Sequence, residues 1–213
     1  APRSACGVVL LCGPPRLFLP FPRSPRGPGP SPSAAGVRCI FAAALWAGPG
    51  GVAALPAPTR PEEADLVSAA ECCNAIGLLA DHHDYVIVDA PSRLSEDTLA
   101  ILDAASVILL VVTYMGVTIA NTRSAIDTFE KLGYTGQKPI LLVVNQADST
   151  AGLSKSGMEH ALNLPVVPEI PTDWKLVSES NNKQIPFVLG NASAPVSQAI
   201  GTLATALVTQ QRK

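Results

Sequence analysis

DYVIVDAPSRLSEDTLAILDAASVILLVV, Asp84 to Val112, holds two apolar stretches separated by a helical pattern. The first, YVIVDA (Tyr85–Ala90), is rich in β-branched residues and closes on Asp89 and then Pro91, which has no N–H to carry a strand ladder further. SEDTLAILDAA (Ser95–Ala105) opens with Ser95 as an N-cap, and Glu96 and Asp97 follow in the first turn, where the helix dipole favours acids. SVILLVVT (Ser106–Thr113) is a strand with apolar residues on both of its faces. A strand of that kind needs cover on both sides, so the helix between the two strands is a crossover and the sheet is parallel.

Outward from this stretch the alternation repeats. TIANTRSAIDTFEKLGY (Thr118–Tyr134) sets Ile119, Ile126, Phe129 and Leu132 along one helical stripe, with Gly133 as a natural C-cap. PILLVVNQ (Pro139–Gln146) is a second strand apolar on both faces. SKSGMEHALN (Ser154–Asn163) reads as a short helix and PVVPEIP (Pro165–Pro171) as a weaker strand. A helix from about Trp174, an extended piece at IPFVL (Ile185–Leu189) and a terminal helix APVSQAIGTLATALVTQQ (Ala194–Gln211) complete the pattern. Upstream, PEEADLVSAAECCNAIGLLADH (Pro61–His82) reads as a helix and GVAALPAP (Gly51–Pro58) as a short strand or its remnant. The fold class is α/β, a parallel β-sheet flanked by helices in three αβα layers.

Composition changes abruptly near residue 60. Residues 1–60 contain six arginines and no Asp, Glu, Lys, Asn, Gln, His, Tyr or Met, and 13 of the 20 prolines lie before residue 68. PRSPRGPGPSPSAAG (Pro22–Gly36) has no periodic apolar face, and its prolines exclude helix and strand alike. The chain therefore divides into a low-complexity segment, 1–50, and a folded domain, 51–213. The segment reads either as a disordered basic tail or as a misread frame of a GC-rich gene, since Ala, Arg, Gly and Pro all have GC-rich codons. The joint lack of Asp, Glu, Lys, Asn and Gln favours the second reading.

Over the whole chain, 47% of residues are hydrophobic, 15% are charged and the net charge is −2, which suits a buried core and argues against a nucleic-acid or anionic-membrane surface. Cys6, Cys12, Cys39, Cys72 and Cys73 form no CxxC pair, as expected of free thiols in a reducing cytoplasm. GVVLLC (Gly7–Cys12) is short for a signal-peptide core, and CIFAAALWAG (Cys39–Gly48) is about half the length of a membrane span. A cytoplasmic protein is the expectation. His82 and His83 stand at a helix end, where their charge suits the dipole better than a metal site without further ligands. His160, beside Glu159 on a short helix, is expected to face solvent.

The apolar strands end in polar residues: Asp89, Thr113, Asn145 and, after PEIP, Thr172 and Asp173. In open α/β sheets the ligand lies beyond the carboxyl ends of the strands, so these ends point to one crevice. Each is also a common helix-capping residue at such a turn. The set suits a nucleotide and magnesium: a strand-end carboxylate holds a magnesium-bound water, and an Asn amide offers donors and acceptors to a base edge.

These residues resemble the MinD/ParA branch of P-loop ATPases, and within it the CpaE/TadZ proteins of Flp (tad) pilus assembly. The likeness rests on LPAPTRPEEADLV, DYVIVDAPSRLSEDTLAILDAASVILLVV, FEKLGY, LLVVNQADS and IPTDWKLVSESNNKQIPFVL, in that order, from about Leu55 to the C-terminus. By matching position it implies Asp89 as the Walker B carboxylate that orients Mg through water and Pro91 in the loop that follows it. It likewise implies Asn145 as the base-recognising residue, with Pro171 and Asp173 in the loop against the adenine of ATP. It further implies a homodimer across the nucleotide face, partners in the pilus secretion machinery, and a cytoplasmic protein, peripheral at the inner membrane or pole.

Two positions depart from the pattern. Gln184 stands where the family has a glycine before the last IP. The KGGxGKT phosphate loop has no counterpart in these 213 residues, and residues 1–50 contain no lysine. The family's ATP hydrolysis is therefore expected to be lost here, and the sheet to lack its central strands, with open edges. The alternatives are a non-catalytic binding or scaffold module and a MinD-like, membrane-associated partitioning protein. For the last, the terminal helix sets Ile200, Leu203, Leu207 and Val208 on one face, with Arg212 and Lys213 following.

Overall fold

A computed structural model describes residues 7–12, 45–56, 67–147 and 154–210. Strand β1 (Gly7–Cys12) comes first, followed by a small ribbon of β2 (Trp46–Ala47) and β3 (Ala53–Ala54) around a 3-10 turn at Pro49–Gly51. Then come α1 (Ala69–Ala80), β4 (Val86–Ala90), α2 (Glu96–Ala104), β5 (Val107–Val112), α3 (Gly116–Lys131) and α4 (Tyr134–Gln137). The chain continues through β6 (Ile140–Asn145), α5 (Lys155–Leu162), β7 (Val166–Ile170), α6 (Trp174–Lys183), α7 (Phe187–Gly190) and α8 (Pro195–Gln210). The main sheet has the order β4-β1-β5-β6-β7.

β5, β6 and β7 pair in parallel, as strands apolar on both faces require. β1 is antiparallel to both β4 and β5, so β4 runs in the same direction as β5. This corrects the expectation of a sheet without its central member: Gly7–Cys12 lies between β4 and β5. The physical reason is that two strands one position apart leave facing rows of unpaired N–H and C=O groups, and a six-residue extended run satisfies both rows.

Alternate residues of the two inner strands serve opposite layers. Ile108, Leu110, Leu142 and Val144 form one core with Leu102 of α2, Phe129 of α3 and Met158 of α5. Val107, Leu109, Leu141 and Val143 form the other with Ile170, Val196 and Leu207. Leu102, Ile108, Leu110, Leu142, Val144 and Phe129 are fully buried, each contributing roughly 1.5–3 kcal/mol of transfer free energy.

Local chemistry sets the helix ends. Ser68 and Glu71 form a reciprocal capping box at the start of α1, so the described helix begins eight residues after Pro61; residues 57–66 lie outside the described ones. At the other end of α1, the Nδ1 atoms of His82 and His83 sit 3.0 Å from the carbonyl oxygens of Leu78 and Leu79. Ser95 caps α2 as expected, accepting from the Thr98 N–H. The C-terminus of α2 is held by Lys138, whose ammonium donates to the Leu102 and Asp103 carbonyls at 2.8 and 3.1 Å and lies 4.8 Å from the Tyr134 ring centre. Tyr134 donates to Asp103 Oδ1 at 2.5 Å, and burial, reinforced by that bond, pushes its phenol up to about 12.

Three expectations shift. IPFVL is not extended: Phe187–Gly190 forms a turn of helix, in which the residues after Pro186 close i-to-i+4 bonds. Leu132 leaves the apolar stripe of α3, being the C-cap and 43% exposed. Thr118 and Thr122, which no hydrophobic pattern would select, are buried, and Thr122 satisfies its hydroxyl on the Thr118 carbonyl at 2.7 Å. Ile200, Leu203 and Leu207 of α8 pack on the sheet, so most of the face considered for membranes already has a partner. Among the described residues no helix is long and apolar enough to cross a membrane.

Gln184 keeps the turn that glycine serves elsewhere. It ends α6 in the left-handed region at φ 53°, ψ 31°, and the Ile185 N–H returns to the Ser180 carbonyl at 3.2 Å. A side chain there costs on the order of 1 kcal/mol relative to glycine. Gln184→Gly is therefore expected to raise the melting temperature by about 2–4 °C for a chain of this size, measured by scanning calorimetry; an unchanged or lowered value would show that the Gln184 side chain compensates its strain.

Candidate functional site

The C-terminal ends of β4, β5, β6 and β7 share one edge of the sheet, but they do not all meet. A cavity of about 570 Å3 opens beside the ends of β6 and β7, between the sheet face and helices α6 and α8. Its floor is apolar, carrying Leu109, Val111 and Val143, while Ile200, Leu203 and Leu207 form a helical wall. Its polar groups gather where the two strands end: Asn145, Gln146, Thr172 and Asp173, beside Pro171. The volume falls in the range of small-molecule sites, and an apolar wall with a few placed polar groups is their usual make-up.

The two strand ends are joined by a backbone bond from the Ala147 N–H to the Ile170 carbonyl, 3.0 Å. Asn145 is half-buried, and its Oδ1 accepts from the Gln146 N–H at 3.0 Å. Gln146 itself is left-handed, at φ 54°, a conformation that costs a non-glycine residue of order 1 kcal/mol and that turns the chain at the cavity's edge. Thr172 Oγ1 is a buried hydroxyl with no hydrogen-bond partner among the described residues. Such an atom carries a desolvation cost of about 1–3 kcal/mol, and it is closed off from the cavity's open space.

Asp173 serves the structure: its Oδ1 accepts from the Leu176 N–H at 2.9 Å and caps α6. Thr113 is drawn away from the cavity and bonds the Thr118 hydroxyl at 3.1 Å. The following Tyr114 donates to Glu169 across β6, and burial, with that carboxylate, pushes its phenol well above its ordinary range. This bond ties the end of β5 to β7 and stiffens the edge that carries the cavity.

Asp89 and Pro91 are exposed and are not part of the cavity wall. Ile87, two residues before Asp89 on β4, does line the cavity, so the wall reaches β4 and stops short of its C-terminal end. The structure thus brings together Asn145, Pro171 and Asp173, and leaves Asp89 and Pro91 outside their cavity. Two further cavity residues carried no sequence signal of their own: Gln146, whose backbone conformation is invisible in its identity, and Trp174, 64% exposed at the first turn of α6.

ATP with Mg fits this constellation only in part. The polar end offers the Asn145 amide to a base, and the apolar walls suit its ring. Phosphates are another matter. The cavity wall holds no Lys or Arg among the described residues, and its one charged side chain is the Asp173 carboxylate. Magnesium usually binds through one or two carboxylates and the phosphates they face; Asp89 supplies a single exposed carboxylate at a distance. Among the described residues no three His, Cys, Asp or Glu side chains cluster as a metal cage.

No protein-family model matches the chain. A relative, the uncharacterized ATP-binding protein MJ0547 of Methanocaldococcus jannaschii, is 24% identical over 166 residues, covering 78% of this chain. The match spans 61% of that relative's length. Among solved structures, the ParA family ATPase from Chlorobium tepidum TLS superposes with a TM-score of 0.71 at 17% identity, covering 79% of this chain and 70% of that one. The septum site-determining protein MinD of Pyrococcus horikoshii OT3, solved with Mg-ADP, gives a TM-score of 0.67 at 18% identity, covering 78% and 68%. The fold of the chain is that of the MinD/ParA P-loop ATPases.

The capping role of Asp173 is separable from any part in binding. Asp173→Ala removes the acceptor for the Leu176 N–H and is expected to cost about 1 kcal/mol, a fall of about 2–4 °C in melting temperature. Asp173→Asn, which caps as well, is expected to melt within about 1 °C of the parent protein. Equal melting of the parent and Asp173→Ala would free Asp173 from the cap.

Proposed function

We propose that this chain is a purine-nucleotide-binding module on the MinD/ParA ATPase fold, one that holds the base and does not hydrolyse ATP. The observation that carries the proposal is the placement of Asn145 beside Pro171 and Asp173 at the end of an apolar cavity without a basic side chain in its described wall. Phosphoryl transfer depends almost wholly on holding and neutralising the phosphates. With no KGGxGKT loop in the 213 residues, that part of the chemistry has no residues to perform it. What remains is recognition: an amide with both donor and acceptor, and a slot for a ring.

The resemblance to CpaE/TadZ proteins supports a place for this module in pilus assembly, as a homodimer or as a scaffold that contacts the secretion machinery at the cytoplasmic face of the inner membrane. A nucleotide would then act as a ligand that stabilises one arrangement of the chain rather than as a fuel. Asp89 keeps its role only in the intact ATPase that the likeness implies. We propose, too, that residues 1–50 come from a shifted reading frame. The pairing of Gly7–Cys12 is compatible with this, since the open ladders of β4 and β5 accept an extended apolar run whatever its origin.

Titration calorimetry of the full chain with adenosine, AMP, ADP and ATP, each with and without Mg, tests the function. All four are expected to bind with similar weak affinities, in the high micromolar to millimolar range, and Mg is expected to change none of them. Asn145→Ala is expected to weaken all four about five- to tenfold, as loss of a base-edge hydrogen bond would. Tight Mg-dependent binding of ATP, or phosphate release above background, would overturn the non-hydrolysing reading. Translation of the gene upstream of the Leu55 codon in every frame tests the origin of residues 1–50: a strand followed by KGGxGKT is expected. The intact product is then a CpaE/TadZ-like ATPase, and the non-hydrolysing reading holds for this chain alone. Absence of that pattern from all frames would refute the frame shift.

A further inference from the structure

The main sheet has two edges, and their chemistry differs. β7 forms one of them: Pro168 stands in mid-strand with no N–H to offer, and the register with β6 shifts between Leu142 and Val144. Both features discourage another strand from adding there. β4 forms the other edge and has neither. Among the described residues it pairs with β1 alone, and Val86–Ala90 contains no Pro, Lys or Arg. Alternate N–H and C=O groups along it point away from β1, and no described strand receives them.

Side-chain alternation adds an apolar surface to that open ladder. Val86, Val88 and Ala90 pack into the core shared with α1 and α2. Tyr85, Ile87 and Asp89 take the opposite face and are exposed, and Ile87, at 67%, is the most exposed large apolar residue described. A small ligand could cover Ile87 and would leave the ladder open. An extended strand with an apolar residue at alternate positions satisfies both. A second copy of this chain presents such a strand.

Charge restricts how two copies can meet. A two-fold axis normal to the sheet keeps Tyr85, Ile87 and Asp89 of both copies on one face and passes through a single position of β4. An axis at Asp89 sets two carboxylates opposite each other, which is unfavourable. An axis at Val88 sets each Asp89 opposite an apolar Ile87. An axis at Ile87 sets the two Ile87 side chains opposite each other and each Asp89 opposite a Tyr85, so the largest exposed apolar areas meet and no acid faces an acid.

We propose that β4 is a dimerisation edge, at which two copies pair antiparallel about Ile87 and join their sheets into one. The inference goes beyond the nucleotide reading and does not rest on it, since the pairing needs no ligand. An edge of so few residues buries less than the roughly 800 Å2 per partner of a standard stable interface, so a weak dimer is expected, with a dissociation constant of about 10–100 µM.

Sedimentation velocity of the full chain without nucleotide, from well below to well above that range, is the test. The parent chain is expected to pass from monomer to dimer. Ile87→Lys and Ile87→Glu each set like charges opposite one another and are expected to weaken the dimer at least about tenfold. Both are expected to melt as the parent monomer does, because Ile87 is exposed. An equimolar mixture of the two variants is expected to recover the dimer, since the introduced charges then face their opposites. A parent chain that stays monomeric throughout would overturn the proposal and leave the edge to a different partner. A dimer that neither variant weakens would place the interface elsewhere. A dimer strengthened in Ile87→Lys would put Asp89 opposite that position and overturn the pairing about Ile87.

Discussion

The demand of β5 and β6 for cover on both faces governs everything else in this chain. Val107–Val112 and Ile140–Asn145 have no polar position before their last residue, so neither can lie at a surface or pair at an edge without exposing apolar area. Their parallel pairing forces a crossover, and α3 supplies it, with Phe129 and Ile126 on one layer. The opposite layer is left to α8 and to the segment that follows β7. Because α8 covers only part of that face, a cavity remains, and the strand ends that border it acquire a chemical environment they would not have in a fully covered sheet.

That constraint also explains which parts of the structure were legible. The doubly apolar runs and the Ser95, Glu96, Asp97 cap define β5, β6 and α2 almost to the residue, because burial and capping are local in sequence. The placement of β1 was not legible. An apolar hexapeptide carries no mark of which ladders it will satisfy, and nothing in its sequence foretells the antiparallel setting between β4 and β5. IPFVL failed for a related reason: three apolar residues after a proline have no period, and the i-to-i+4 bonds that Gly190 and Asn191 close settle the matter in favour of a helical turn.

The site was legible in its members and not in its grouping. Strand-end polarity picked out Asp89, Thr113, Asn145, Thr172 and Asp173, yet only the last three share the cavity. Thr113 was lost to a hydroxyl five residues away, and Asp89 lies past Ile87, the last residue of β4 that lines the cavity. Asp173 is in the cavity and at the same time commits one carboxylate oxygen to a helix N-terminus. Capping and binding are therefore not rival accounts of one residue, since the oxygen that caps and the oxygen that remains are different atoms.

The distribution of polarity in the cavity bears on what kind of ligand it can hold. A charged ligand needs fixed opposite charge, and a buried charge without it is costly. Here the wall offers a carboxylate that is already engaged and an amide whose oxygen already accepts from the Gln146 N–H. Such groups orient a neutral ring and contribute little to holding an anion. The left-handed backbone at Gln146 fits the same account: by turning the chain immediately after Asn145 it places the amide at the cavity edge, and the strain it stores is balanced by the bond from its own N–H to Asn145 Oδ1. The edge of β6 is thus rigid before any ligand arrives, and rigidity of that kind lets weak, neutral contacts discriminate one ring from another.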